Sequence, residues 1–430
     1  MAQLRLLDLL NRIDEAIESE ASDEALGLIL SNWHHLQDPA PLRERTALLL
    51  ATVGRKREAV EVYSIVARHY SNGGYPTRAL AAMKQMQNLN PTSTQLLDHF
   101  TTLYSVRSPF LERGREITEF PQPEEEITLQ ISADLSREEE ELFAAALELA
   151  LSTEGTIDRP QSLPPLTLLS LLPPKALRRL LDLLQYEIFA EAQEVIKEGK
   201  TSGDLLWSVS ADLLVTDGDE SFRISAGALL GLSAFGHEEI PSLHTVMSQK
   251  GSECLRLPRQ ALQTLAEEFP DFPNRLATLR RHALTEGIFE RHRIFKSLDQ
   301  DKKEELAEKI IGIKLPPNSF CLRQGRVSPG LYILLDGTVD IISHDEDVEV
   351  TVETLRSGQM FGEVGLVEPC PVPASAITTS EAHLLFLSRK DSDELLASHS
   401  DIATFFQTRS AEQLRTIGET LQALNLAEPS

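Results

Sequence analysis

Apolar positions between residues 1 and 107 recur at helical spacing, in runs separated by Gly54, Gly73-Gly74 and Pro91. This pattern predicts a stack of short antiparallel helices. From 108 to 165 the pattern gives way to prolines at 121, 123, 160, 164 and 165 and to the acidic runs EEE (124 to 126) and EEEE (138 to 141). That stretch reads as a linker. Within it, Ser136 followed by Glu139 is a capping-box signature for a helix through LFAAALELAL that ends near Gly155, and the alternating ITLQI at 127 to 131 predicts a short strand.

Beyond 165 the period changes to two, and the chain repeats itself. LLSLLPPKALRRLL at 168 to 181 aligns with IFKSLDQDKKEELA at 294 to 307, and KEGKTSGDLLWSV at 197 to 209 aligns with RQGRVSPGLYILL at 323 to 335. Both pairs are offset by 126 residues. GALLGLSAFGH at 227 to 237 aligns with GQMFGEVGLVE at 358 to 368 at an offset of 131, so the second copy has gained about five residues near HDEDVEV. Each copy has short alternating segments punctuated by glycine, which predicts an antiparallel barrel or jelly roll flanked by helices. The expected fold class is therefore multidomain α + β. Its segments are helices at 1–107, a linker at 108–165, and β-domains at 166–285 and 286–430.

Residues 63 to 91, YSIVARHYSNGGYPTRALAAMKQMQNLNP, place Tyr63, Val66, Ala67, Tyr70, Gly74, Ala79 and Pro91 at a spacing that resembles a tetratricopeptide repeat. Small Ala67 and Ala79 let two helices approach, Gly74 permits the turn and Pro91 stops the second helix. The resemblance implies a partner-binding surface, with neighbouring helices completing the stack.

Charge narrows the function classes. Lysine and arginine total 41 against 66 aspartate and glutamate, a formal net charge of −25, which repels nucleic-acid backbones and anionic membranes. The basic run LRRHALTEGIFERHR at 279 to 293 has helical apolar spacing and is expected to be a solvated helix face. No run of 18 apolar residues occurs, and the N-terminal MAQLRLLDLLNRIDEAIESE reads as an amphipathic helix rather than a signal peptide. Cys254, Cys321 and Cys370 lack metal or disulfide spacing and fit a reducing cytoplasm.

The second copy resembles a cyclic nucleotide-binding domain, through IFKSL, the Gly325 turn, LYILLDGTVDI and above all SGQMFGE. The tandem layout is similar to that of protein kinase A regulatory subunits. In that family a short helix after FGE points its N–H groups at the cyclic phosphate, the glutamate takes a ribose hydroxyl, and an arginine in a PRxA-type stretch pairs with the phosphate. Phe361, Gly362, Glu363 and Pro371 match, and Ala374 and Ser375 fall within the same cassette, but Val372 stands where the arginine belongs. No basic residue lies between Arg356 and Arg389. Loss of that cation is expected to cost about 2–5 kcal/mol of phosphate binding and to leave Glu363 without an arginine. In the first copy Leu230, Gly231 and Leu232 replace the FGE, and Pro241 replaces the arginine, so both polar anchors are gone.

No GxxxxGK[ST], GxSxG or HExxH motif is present. His34-His35 beside Trp33 reads as surface or packing. His237, Glu238, Glu239 and His244 fall in the decayed cassette and are read as a loop without metal. After Ser400 one amphipathic helix, with Ile402, Phe405, Phe406, Leu414, Ile417 and Leu421 apolar, leaves no room for a DNA-reading motif before the end of the sequence. It takes the place of the family's lid or dimerisation helix. These readings together predict a non-enzymatic cytoplasmic adaptor without cofactor. It would dock a protein partner through the helical repeat and self-associate, if at all, through the C-terminal helix. The alternative is a second-messenger receptor, binding cyclic AMP, cyclic GMP or a cyclic dinucleotide that reaches Arg323 or Arg326, and signalling through that helix.

Overall fold

Apolar residues at helical spacing build the first third of the chain, as α1 (Leu6–Glu18) illustrates by burying Leu6, Leu9, Leu10, Ile13 and Ile17 on one stripe. The computed structural model describes all residues except 1, 113, 119, 121–125, 130–137, 161, 199, 201–202, 218–219, 233–241, 243, 250, 280–294, 296–297, 346–347, 357, 368–370 and 426–430. Five helices follow: α2 (Ser22–Asn32), α3 (Ala40–Thr52), α4 (Lys56–Gly73), α5 (Pro76–Leu89) and α6 (Gln95–Tyr104). Gly74 ends α4 at φ +88°, a conformation that favours glycine, and a Cβ there would lie 2.9 Å from Pro164. Tyr63, Ala67, Tyr70, Gly74 and Ala79 are all buried, while Pro91 is exposed just past the end of α5. His34 and His35 are exposed on a single 3₁₀ turn.

The chain divides into two compact bodies. One comprises Met1–Val195, Asp204–Leu230 and Val246–Arg275, the other Ile196–Gly203, Gly231–Thr245 and Leu276–Ser430. In the first body the described part of the 108–165 stretch is packed rather than extended. Its helix α7 (Glu139–Leu151) lies against α2, α3 and α4. Fully buried Arg43 donates to the carbonyls of Ala150 (3.3 Å), Ser152 (3.1 Å) and Glu154, so a cation satisfies carbonyls at and just beyond the C-terminal end of α7. Phe120 packs edge-to-face on Tyr70 and at a tilt against Tyr75. The N-cap of α7 is Glu138, with no side-chain cap; Ser136 of the expected capping box lies outside the described residues. Strand β1 (Ala2–Arg5) pairs antiparallel with β2 (Glu126–Leu129).

Most of the first β-domain belongs to this same body, apart from Ile196–Gly203 and Gly231–Thr245. After α8 (Pro174–Leu183) come β3 (Gln185–Phe189), β4 (Glu194–Ile196), β5 (Leu205–Ser208), β6 (Leu213–Asp217), β7 (Glu220–Ile224), β8 (Leu229–Leu230), β9 (Thr245–Ser248) and β10 (Ser252–Leu257), followed by α9 (Arg259–Glu268). Polar side chains join helices to strands: Tyr63 donates to Gln85 (2.6 Å), Gln85 to Tyr186 (3.5 Å) and Tyr186 to Glu253. Lys84 of α5 donates to the Leu181 carbonyl of α8 at 2.6 Å, and Thr77 to the Val209 carbonyl at 3.2 Å. Burial lowers the Lys84 pKa to about 8.

The second body holds the strands β11 (Ile311–Leu315), β12 (Phe320–Leu322), β13 (Gly330–Asp336), β14 (Val339–Asp345), β15 (Val348–Leu355), β16 (Met360–Phe361), β17 (Ser375–Thr378) and β18 (Ala382–Ser388). The sheet orders are β11-β18-β13-β16 and β12-β17-β14-β15; in the first β-domain they are β3-β10-β5-β8 and β4-β9-β6-β7. Taken in chain order, the eight strands of each domain pair in the same way, 1-8-3-6 and 2-7-4-5. Of the barrel or jelly roll expected, each domain takes the two-sheet form: among the described residues it is a pair of four-stranded sheets, with no closed ring of strands. Helix Arg389–Ser398 and the long C-terminal helix Ser400–Asn425 complete the body, the latter burying Ile402, Phe406 and Ile417 while Phe405 and Leu414 stay more than a third exposed.

Candidate functional site

The cassette in the second β-domain begins where β16 pairs with β13, Phe361 opposite Tyr332. The two rings stack at 5.0 Å within 6° of parallel, which fixes Phe361 in the core between the sheets. Gly362 then turns the chain at φ +97°, and a Cβ there would meet the Gly330 carbonyl at 2.5 Å. No other residue type fits without displacing backbone. The Glu363 carbonyl accepts from Leu366 and Val367 and opens a single helical turn, Val364–Val367. Ser328 donates to the carbonyls of Gly330 (3.0 Å) and Gly362 (3.2 Å), and Arg389 donates to the carbonyl of Gly365 at 2.8 Å.

Val372 is 3% exposed and belongs to the same apolar cluster as Phe361, Tyr332 and Leu322. Its backbone is paired on both sides with the preceding turn, its N–H to Arg326 (2.8 Å) and its carbonyl to Gly325 (2.9 Å). A Cβ built on Gly365 would lie 2.9 Å from Val372 Cγ1, so the valine closes directly on the cassette turn. Ala374 and Ser375 are buried beside it, and the Ser375 hydroxyl accepts from the Gln324 N–H at 3.0 Å. Pro371 is exposed.

Glu363 is not left without an arginine, and the sequence expectation is corrected here. Its Oε1 accepts from Arg409 Nε at 2.9 Å, and Arg409 also donates to the Met360 carbonyl at 3.2 Å. Arg409 comes from the C-terminal helix, 46 residues downstream, where no cassette pattern would place it. The carboxylate is fully buried, and its Oε2 has no hydrogen-bond partner among the described residues. Burial raises the Glu363 pKa; Arg409 opposes that shift and Glu353 adds to it.

Between the cassette and the C-terminal helix lies a cavity of about 230 Å³. Leu322, Ile341, Val352, Phe361, Val364 and Val372 form its apolar wall, and Arg409, Glu412, Gln413 and Thr416 face it from the helix. Arg409 is the one cation among the described lining residues, and it is already paired with Glu363. Arg323 and Arg326 do not line the cavity: both are exposed, and the Arg323 guanidinium sits 3.8 Å over the Phe320 ring.

In the first β-domain, β8 carries Leu230 into Gly231 at φ +83°, followed by buried Leu232. The backbone turn therefore survives where the acid does not. Pro241 lies outside the described residues, as do His237, Glu238, Glu239, Cys370 and most of the basic run at 279 to 293. Among the described residues no cluster of histidine, cysteine, aspartate or glutamate could hold a metal ion, and no helix is long and apolar enough to cross a membrane.

Residues 313–399 match the family model described as Cyclic nucleotide-binding domain. The chain is 28% identical over 127 residues to the cAMP-dependent protein kinase type II regulatory subunit of Drosophila melanogaster, a match covering 29% of this chain and 34% of that protein. It is 25% identical over 229 residues to the cAMP-dependent protein kinase regulatory subunit of Hypocrea atroviridis, covering 50% and 46%. The match to the Drosophila protein thus spans about a third of that relative's length. Among solved structures, the regulatory domain of Toxoplasma gondii PKA in a co-crystal with cAMP covers 56% of this chain and 90% of its own, at 18% identity and a TM-score of 0.30.

Proposed function

We propose that this chain is a non-catalytic regulatory protein whose second β-domain does not hold a cyclic mononucleotide tightly in the usual manner of its family. One observation carries the reading. Val372, buried against the cassette turn, stands where the family resemblance puts the phosphate-pairing arginine, and Arg409, the one cation among the described residues lining the cavity, is spent on Glu363. A phosphate entering this site would meet no uncommitted cation, at a loss of about 2–5 kcal/mol, or roughly two to four orders of magnitude in affinity.

Protein partners fit this role. The relatives named above are regulatory subunits of kinases, so the partner class proposed is a separate protein chain, with neither nucleic acid nor a membrane as target and the cytoplasm as setting. The tetratricopeptide-like positions Tyr63, Ala67, Tyr70 and Ala79 support this role from inside the core, and one side of α5 already packs on β3 and β10. Docking then falls to the outer helices.

Calorimetry of the full chain with cyclic AMP and cyclic GMP tests the reading: heats no larger than dilution are expected up to high micromolar ligand, and micromolar binding would falsify it. Val372→Arg is a companion. It places a long side chain in a packed site, at about 1–3 kcal/mol of overpacking, and should raise cyclic AMP affinity measurably. A second reading, a receptor that signals through the C-terminal helix, is favoured by one observation, that this helix forms a wall of the cavity. It predicts ligand-dependent hydrogen exchange along 400–425.

A further inference from the structure

The cavity beneath the C-terminal helix has a charge balance of its own. Besides Arg409, two ionisable side chains line it: Glu353 on β15 and Glu412 one turn along the helix from Arg409. Among the described residues Glu353 accepts one long hydrogen bond, from Gln359 at 3.4 Å, and neither carboxylate forms an ion pair. The charge of Arg409 is cancelled by Glu363 at 2.9 Å. The lining therefore carries two carboxylates without an ion-pair partner among the described residues, Glu353 half-buried and Glu412 exposed, beside a wall of Leu322, Ile341, Val352, Phe361, Val364 and Val372. The net charge of the lining disfavours an anion entering here and favours an ammonium, which can also bury an apolar body against the wall. At about 230 Å³ the space lies below the range of about 300–1,000 Å³ typical of drug-sized ligands, so the occupant is small.

We propose that this cavity is a binding site for a small organic cation with an apolar body, held between β15 and the C-terminal helix and selected by charge. The proposal rests on the reading that the cassette has lost its phosphate site, and extends it by naming the class of ligand that replaces the anion. Such a ligand bridges the sheet and the helix, so its binding also fastens the helix.

Three probes with one body and different charge test it on the full chain by calorimetry: 5′-amino-5′-deoxyadenosine, adenosine and cyclic AMP. Affinity should fall in that order, by about fivefold or more at each step, the scale of one partly exposed ion pair. The double substitution Glu353→Gln, Glu412→Gln should compress the spread to under about threefold. Equal or tighter binding of cyclic AMP than of adenosine would overturn the proposal, as would no binding of any probe up to millimolar concentration. These failures are separable. Tight cyclic AMP binding also sinks the regulatory reading above, while silence from all three probes sinks only the cation site.

Discussion

Glu363 and Arg409 are unequal partners. The carboxylate is fully buried whereas the guanidinium is 29% exposed, so removing either has a different consequence. Arg409→Met would strand an uncompensated buried charge and should cost about 1–3 kcal/mol, below the usual range for a fully buried pair because Arg409 is partly wet. Glu363→Gln removes a charge whose burial is already unfavourable and should cost less than about 1 kcal/mol. Denaturant unfolding of both single variants and the double variant checks this: the double should cost clearly less than the two singles combined. The pH dependence has a definite sign. Because the folded-state pKa of Glu363 is raised, the folded state holds its proton more tightly, and the penalty for burying the charge is relieved as pH falls through that pKa. Glu363→Gln should flatten this dependence.

At the scale of elements, α5 is clamped to α8 by a buried lysine. Lys84 is 6% exposed, donates to the Leu181 carbonyl and has its pKa lowered to about 8. Since the unfolded chain keeps this proton to a higher pH, the cost of burying the charge is fully present below pH 8 and fades as pH rises towards the ordinary lysine value near 10.4. Lys84→Met should therefore be neutral or stabilising at pH 7, and its advantage over the wild type should shrink between pH 8 and 10; thermal melts across that range check it. How far the elements were legible depended on how local their causes were. The cassette and the hairpin from β13 to β15 follow from adjacent residues, Phe361 to Glu363 and the alternation of LYILLDGTVDII and VEVTVETL. Contacts that join distant segments left no such trace. Neither Arg409 reaching Glu363 nor Arg43 reaching the carbonyls beyond α7 produces a pattern in either segment. The proline-rich and acidic stretch read as a linker because composition reports local stiffness and charge, not what Phe120 or Ile117 packs against.

On the scale of the molecule, the boundary between the two bodies does not fall between helices and sheets. Helices α1 to α7 and most of the first β-domain share one body, and the second β-domain with the C-terminal helix makes up most of the other, which also takes Ile196–Gly203 and Gly231–Thr245. The duplication seen in sequence thus pairs two domains of equal strand order in different settings, one packed against helices and one carrying the cassette. Two unfolding transitions are expected in calorimetry, with Arg43→Met, which strips the carbonyls at and beyond the end of α7 of their donor, lowering one and Arg409→Met lowering the other. A single transition displaced by both substitutions would contradict this division.

The left-handed turn at Gly362 recurs at Gly231, where the neighbouring acid has become leucine. At Gly362 the turn is held by the close approach of the Gly330 carbonyl from the neighbouring strand, a mechanical need that persists whatever the site binds or ceases to bind. A glycine of this kind is a hinge pin of the scaffold. Signature searches centred on it will go on finding relatives long after ligand chemistry has diverged, and they sort proteins by architecture rather than by the messenger they sense.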